Sequence, residues 1–223
     1  MFLHGLGYQL IDESVGVLFN DTRRMILHSN QNHIQAVEPD MVIEKMTTTK
    51  EIEENFIAAE AQYNRLSERP VRSSSRNSEH YQEQLKQVEI EFRAAKDLNK
   101  KYKLMKHFRQ YMKDHLVTAG DEFKITSIDN LRRLPCMVKW FRTKHAICMM
   151  LTNGIVQVNF FSCHSKLIFD PSVEAVTYIN EQKQFATYSI QNLQNTGINT
   201  TFFKRLVQAK NLVVNLYKHL LES

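Results

Sequence analysis

Two cation-capable side chains lie two positions apart in the apolar stretch NFFSCHSKLIF, residues 159–169: His164 and Lys166. The apolar residues around them predict a β-strand, and positions two apart in a strand project from the same face of a sheet. A histidine and a lysine side by side could both donate hydrogen bonds to one anionic group. The alternative is a solvated pair on an edge strand with no ligand, because histidine and lysine are common at protein surfaces.

The motifs of the common enzyme classes are missing from this sequence. A kinase needs a glycine-rich phosphate loop, a lysine on its third strand and the HRD and DFG motifs, and none of these occurs. The GLG at 5–7 lacks the rest of a nucleotide loop, and there is no GxSxG or HExxH. We therefore predict no catalytic residues.

The cysteines and histidines do not predict a metal site. Cys136, Cys148 and Cys163 are an odd number at wide spacings without a CxxC pair, and the nine histidines form no metal-spaced cluster. The expectation is reduced thiols in a cytosolic or nuclear protein, with no metal and no cofactor.

The length and charge of the chain narrow the class of protein further. With 223 residues it can form one large or two small domains. The net charge of +5 comes without a dense lysine and arginine stripe interleaved with aromatics, so a nucleic-acid partner is not expected. No apolar run approaches a membrane span, and the first residues lack the order of a signal peptide.

The first part of the chain predicts an antiparallel meander followed by helices. Short β-rich runs with polar turns fill residues 5–49. Residues 51–68 have a helical composition, and 69–78 form a loop rich in serine and arginine. A long helix is predicted at 79–117, with an apolar stripe that includes Ile90 and is best explained by core packing. A coiled-coil partner face is the alternative for its first part.

The second part repeats this order. Strands are predicted between 136 and 190, with TNG at 152–154 as a hairpin turn. The strand runs are CMVKWFRTK, AICMMLTN, IVQVNFF, KLIF, AVTYIN and FATYSI. Residues 200–223 predict an amphipathic helix, with Thr200 or Thr201 as its N-cap. A sheet with one helix leaves one apolar face uncovered, so two such units could bury those faces against each other and leave a groove between them.

These runs resemble the two polo boxes of the polo-like kinases. GLGYQLIDESVGVLFNDTRRMIL resembles the first box, and LPCMVKWFRTKHAICMMLTNGIVQVNFFSCHSKLIF the second. HFRQYMKDHLVTAG matches the helix and linker between them, while residues 50–97 have no counterpart. The resemblance implies an α+β fold in which each box is a six-stranded antiparallel sheet with a C-terminal helix. The boxes would be residues 1–117, with an insertion at about 50–97, and 133–223, joined by a linker at 118–132.

The resemblance also implies a function and a site. Polo boxes bind peptides that carry phosphoserine or phosphothreonine after a serine, and they dock the kinase onto primed mitotic partners. His164 and Lys166 match the family's phosphate-binding pair, which would explain the two cations beside each other. The other residues carried over to the peptide site are Leu116, Val117, Phe161 and Arg142. Phe108 and Tyr111 match an accessory aromatic pocket, although Phe108, Leu116 and Phe161 are equally explained as core.

Two departures from the family pattern leave a second function open. The family's tryptophan upstream of GLGYQL has no counterpart, because the only tryptophan is Trp140 in the second box, where we expect core packing. Together with the insertion, this favours an alternative: a phosphate-independent interaction or dimerisation scaffold, with oligomers formed through the insertion. The expected location is cytoplasm and nucleus, at centrosomes, kinetochores or spindle, with a polo-like kinase domain as a further partner.

Overall fold

The computed structural model divides the chain into two units, Met1–Arg133 and Leu134–Ser223. Each unit is described by itself. The predicted linker at 118–132 lies outside the described residues. The structure describes residues 4–40, 44–68, 75–115, 134–194 and 199–221.

The first unit contains a five-stranded antiparallel meander in its described part, where the family resemblance implied six strands. Neighbouring strands pair in sequence order, so each connection is a short turn. The turns contain Glu13, Thr22 and Gln31 with positive φ angles of 62–67°. The strands are β1 (Gly5–Gln9), β2 (Val15–Phe19), β3 (Arg24–Leu27), β4 (His33–Val37) and β5 (Glu44–Thr48).

Helix α1 (Thr49–Ser67) begins directly after β5 because Thr48 caps it. The Thr48 side chain accepts a hydrogen bond from the Glu51 backbone N–H at 3.2 Å, and the Glu51 carboxylate accepts one from the Thr48 N–H at 2.8 Å. This capping box satisfies two backbone donors that the first turn would otherwise leave open.

Helix α2 (Ser75–His115) runs without a break through the predicted insertion into the predicted helix of the first box. Its first half packs on α1, where the ring of Phe92 stacks against Tyr63 and Phe56 at centroid distances of 4.9 and 6.3 Å. The two helices therefore form a helical hairpin, as the sequence predicted. The predicted apolar stripe is wrong at Ile90, which is 61% exposed.

The second half of α2 covers one face of the first sheet. Tyr102 and Met105 are buried there with apolar side chains from β2, β3 and β4 and with Ile52 of α1. Gly7 of β1 lies under the Phe108 ring, so a larger side chain at that position would push the helix away from the sheet. The helix is thus held on the sheet by a shared apolar core.

His28 is a buried histidine just after β3 and provides a pH-dependent prediction. It is 1% exposed, and its Nε2 has no hydrogen-bond partner among the described residues. Burial, with a smaller contribution from the charge of His33, lowers the pKa of His28 below its usual value. As the pH falls through about 6.5, His28 binds a proton in the unfolded chain but not yet in the folded chain. The free energy of unfolding therefore decreases.

We expect the hydrogen-exchange protection of β3 and β4 to decrease between about pH 7 and pH 5, after correction for intrinsic exchange. In His28→Phe, which keeps an aromatic ring but cannot be protonated, the protection should stay constant over this range. An equal decrease in both proteins would show that another group titrates.

The second unit contains a six-stranded antiparallel meander, as predicted. Its inward side chains form a separate core that includes Cys148, Val158 and Leu167. Burial raises the pKa of the Cys148 thiol to about 12. The strands are β6 (Met137–Arg142), β7 (Ala146–Leu151), β8 (Val156–Phe160), β9 (Lys166–Asp170), β10 (Ala175–Ile179) and β11 (Phe185–Ser189).

Helix α3 (Thr200–Leu221) covers one face of this sheet. Phe202, Ala209 and Leu216 recur every seven residues on its buried side, and the Phe202 ring packs on Tyr178 and Tyr188. The predicted N-cap at Thr200 or Thr201 is wrong: the Asn199 side chain accepts the Thr201 N–H at 2.8 Å. Within the described residues, no helix combines the length and apolar character needed to cross a membrane.

Candidate functional site

The stretch 159–169 is a hairpin between the strands predicted from IVQVNFF and KLIF, so the placement of His164 and Lys166 on one face of a single strand is wrong. Strand β8 ends at Phe160, whose N–H donates to the Ser165 carbonyl at 2.9 Å, and β9 begins at Lys166. His164 lies in the turn with φ at 53°, a left-handed conformation that no strand residue adopts. His164 and Lys166 are therefore neighbours at a turn–strand junction and not two positions on one strand face.

Lys166 projects from the sheet face opposite to α3. The next residue, Leu167, is fully buried in the core under α3, and side chains alternate along a strand. Cross-strand pairing then aligns Lys166 with side chains on the same face of the neighbouring strands. The row formed in this way is Arg142, Ile147, Asn159, Lys166 and Ile179.

Arg142 lies at the far end of this row and is held by an aromatic ring. Its guanidinium carbon is 4.6 Å from the ring centroid of Phe161, a cation–π contact between an exposed arginine and a half-buried phenylalanine. Three strand steps separate Arg142 from Lys166, about 14 Å at the usual strand spacing. Arg142 and Lys166 therefore lie on the same face of the sheet but are not direct neighbours.

The ammonium group of Lys166 is in an unfavourable electrostatic environment. Burial, and then the positive charge of Lys183, lower the pKa of Lys166 below its usual value. Both effects disfavour the charged form, and a bound anion would reverse them. The position therefore favours a negatively charged ligand.

Three connections of the second sheet lie at the same end as Lys166 because alternate turns of a meander share one edge. These are residues 143–145, 161–165 and 180–184, and Glu181 is their only acidic residue. The Phe161 N–H donates to the His145 carbonyl at 2.9 Å, which joins two of the connections. We call the basic residues here the cationic end: Arg142, Lys144, His145, His164, Lys166, Lys183 and Arg205, the last over the Phe160 ring at 4.9 Å.

The predicted residues of the first unit are only partly described. Phe108 packs against the first core, whereas Tyr111 is 59% exposed and stacks on His115 at 4.3 Å. Leu116 and Val117 lie outside the described residues. The accessory pocket at Phe108 and Tyr111 stays a prediction.

A cavity of about 380 Å³ lies one turn earlier on α2. Leu104 and His107 line it together with Phe19 of β2, and Lys101 beneath it pairs with the Asp21 and Asp97 carboxylates at 2.5 and 2.7 Å. The charge of this buried lysine is thus compensated within the fold, in contrast to Lys166.

The sequence analysis missed Asn159 and Lys183, the neighbours of Lys166 in the folded unit. Asn159 lies between Arg142 and Lys166 in the cross-strand row, and its side-chain oxygen accepts a hydrogen bond from Gln157 at 2.8 Å. Lys183 follows Lys166 by 17 positions and lies in the turn between β10 and β11, close enough for its charge to lower the pKa of Lys166. The alternation of β8 could have indicated Asn159, but only the sheet order relates Lys183 to the site. In the described parts of both units, no group of three or more potential ligands gathers around a metal position.

The fold is a pair of strand-and-helix modules, and the second module has basic residues at one end of its sheet. A family model described as the POLO box duplicated region matches residues 3–65 and 143–206. The chain belongs to the polo-box family. The matched segments include the first sheet with most of α1, and the second sheet from β7 to the start of α3. These 223 residues include no kinase catalytic domain.

The relatives are polo-like kinases. The chain is 37% identical over 213 residues to serine/threonine-protein kinase plk-1 of Caenorhabditis elegans, covering 96% of this chain and 26% of that protein. It is 33% identical over 207 residues to serine/threonine-protein kinase polo of Drosophila melanogaster, covering 93% and 28%. The chain thus spans about a quarter of the length of these kinases.

Solved structures share the fold. The polo-box domain of Cdc5 from budding yeast aligns with a TM-score of 0.61 at 18% identity, covering 96% of this chain and 72% of that one. The same domain in complex with a Spc72 phosphopeptide aligns with a TM-score of 0.58 at 18% identity, covering 92% and 64%. The α+β class with two antiparallel sheets is confirmed.

Proposed function

We propose that the chain is a non-catalytic module that binds phosphoserine- or phosphothreonine-containing peptides. The observation that carries this proposal is the position of Lys166, which is half-buried at the start of β9, directly after the turn that exposes His164. Burial and Lys183 lower the pKa of Lys166, and a phosphate, with about two negative charges and several strong acceptor oxygens, would stabilise its charged form.

His164 is the second donor in this proposal. It is exposed in the turn that leads into Lys166, and its left-handed backbone directs the chain from the turn into β9. Lys183 adds positive potential, and Arg142 on Phe161 contacts the flanking peptide. Leu116, Val117 and Phe161 would contact the peptide chain, as the family resemblance implies.

The membership in the polo-box family and the complex of a related domain with a phosphopeptide support the cellular role that we propose. The module docks a polo-like kinase, or acts alone, on primed mitotic partners in the cytoplasm and nucleus, at centrosomes, kinetochores or the spindle. A kinase domain in cis or in trans is a further partner.

The test is a fluorescence-polarisation titration of the purified chain with a labelled Ser-phosphoThr peptide and with its unphosphorylated twin. We expect saturable binding of the phosphopeptide and at least tenfold weaker binding of the twin, equivalent to about 1.4 kcal/mol. Equal affinity for both peptides, or no binding by a chain with a cooperative melt, would overturn the proposal.

A second candidate function is a phosphate-independent interaction scaffold. The observation that favours it is the hairpin of α1 and α2, which exposes Ile57 and Ile90 by 63% and 61%. The two functions do not exclude each other, because the hairpin and the cationic end belong to different units.

A further inference from the structure

Helix α3 carries an apolar stripe on its solvent side, in addition to the apolar side that packs on the sheet. Phe203, Val207, Val214 and Tyr217 are 53, 47, 44 and 43% exposed. With Lys210 they follow the alternating spacing of four and three residues that forms a helix-pairing seam. The stripe extends over fourteen residues, about 21 Å along the helix, which is a length typical of a docking surface for another helix.

The charges around this stripe all have one sign. Helix α3 contains no aspartate or glutamate, while Lys204, Lys210 and Lys218 are exposed on the same solvent side. Pairing with a second α3 would bring these lysines together, and an antiparallel pair would oppose Lys210 to itself. Because like charges across a helix pair oppose association, the stripe requires an acidic partner helix.

The solvent face of α1 carries acidic side chains around an exposed apolar residue. Ile57, 63% exposed, lies at its centre with Ala61 one turn further on. Glu53, Glu54 and Glu60 flank it and are all exposed. The opposite side of α1 is already occupied, because Ile52 and Phe56 pack into the first unit. The face from Glu53 to Asn64 is about 17 Å long, close to the length of the stripe on α3.

We propose that the chain self-associates by docking the acidic α1 face of one copy on the basic apolar stripe of α3 of a second copy. Ile57 and Ala61 contact the apolar side chains of the stripe, and Glu53 and Glu60 pair with Lys210 and Lys218. Both surfaces lie outside the cationic end, so the association is independent of phosphopeptide binding and rests on the second candidate function, the interaction scaffold.

The area of the interface determines how strong this association can be. A single helix-on-helix contact is at or below the area of about 1,200 Å² that stable interfaces bury. If both copies dock reciprocally, two equal contacts form and the assembly closes as a dimer. We therefore expect a dimer that dissociates on dilution and is weakened by salt, because part of the attraction is between exposed charges.

The experiment is sedimentation velocity on the full chain over a concentration series, without peptide. Variant A carries Glu53→Lys and Glu60→Lys, which leave Glu51 of the capping box and the Lys50–Glu54 pair intact. Variant B carries Lys210→Glu and Lys218→Glu. We expect the wild type to dimerise, variants A and B each to remain monomeric, and an equimolar mixture of A and B to associate again, because their reversed charges are complementary.

A matched control reverses two other exposed glutamates, Glu83→Lys with Glu91→Lys on α2, and changes the net charge as variant A does. It should dimerise like the wild type. Circular dichroism melts check that all variants are folded. A monomeric wild type at every concentration, a variant A that dimerises normally, or an A and B mixture that stays monomeric would overturn the proposal.

Discussion

Lys166→Met should weaken the binding of a Ser-phosphoThr peptide by about 10- to 100-fold, since a hydrogen bond to a charged group contributes about 1.5–3 kcal/mol. Methionine keeps the length and most of the apolar stem of lysine but cannot donate to a phosphate. With His164→Gly in addition, phosphate-dependent binding should disappear. Glycine is the better replacement at this position because it has no side-chain donor and adopts the left-handed conformation of His164, whereas alanine would be strained there.

The fold should survive these changes. Burial and Lys183 already disfavour the charged form of Lys166, so its removal should leave the free energy of unfolding unchanged or slightly higher at neutral pH. Lys218→Met on α3 is the control, because it removes the same charge from the opposite side of the sheet, and its affinity should stay within about twofold of the wild type. If Lys166→Met and Lys218→Met bind equally well, the phosphate is held elsewhere.

Leu167→Ala, one residue further along β9, should reduce stability and leave peptide binding unchanged. We expect it to lower the free energy of unfolding of the second unit by about 2–5 kcal/mol. Leu167 is completely buried between the sheet and α3, and its truncation leaves a cavity that neighbouring strands cannot fill without moving. Urea unfolding followed by the fluorescence of Trp140, the only tryptophan, reports this unit directly.

The matched control is Ile168→Ala on the same strand. Ile168 is only half-buried and projects from the other face, so its loss should cost less than half as much as that of Leu167. Equal losses would mean that the two faces of the second sheet are packed alike, contrary to the burial pattern of β9. Below its unfolding transition, Leu167→Ala should bind the phosphopeptide as the wild type does.

The strands and helices could be predicted because apolar periodicity determines them locally. The alternation in β6 to β11 and the turn residues between them gave the second sheet, and the long runs similar to polo boxes gave the tandem arrangement. The runs IVQVNFF and KLIF indicated the strands on both sides of 161–165, but they could not indicate that His164 leaves the strand, because this depends on its left-handed backbone. The sequence analysis missed Asn199 as the N-cap of α3 because two threonines follow it. All three residue types can cap a helix, and only the position of the first helical turn decides between them.

The candidate site was predicted in part. An anion site is indicated by two cation-capable residues close together in the chain, His164 and Lys166, and by the resemblance to polo boxes. The row that joins Lys166 to Asn159 and Arg142 results from the register of three successive hairpins. The apolar alternation of each strand predicts which face a side chain takes, but the residues that lie opposite each other also depend on the geometry of the turns.

The unbroken course of α2 from the hairpin into the first core determines how this insertion can change in length. Each residue added between Phe92 and Met105 would rotate the hairpin by about 100° relative to the sheet, and Phe92 would lose contact with α1 while Met105 stayed in the core. Steps of seven or eleven residues come close to whole turns and restore the direction. In related proteins with such an insertion, we therefore expect lengths of this arm to differ in steps of about two or three helical turns, with single-residue insertions confined to the connection between the two helices.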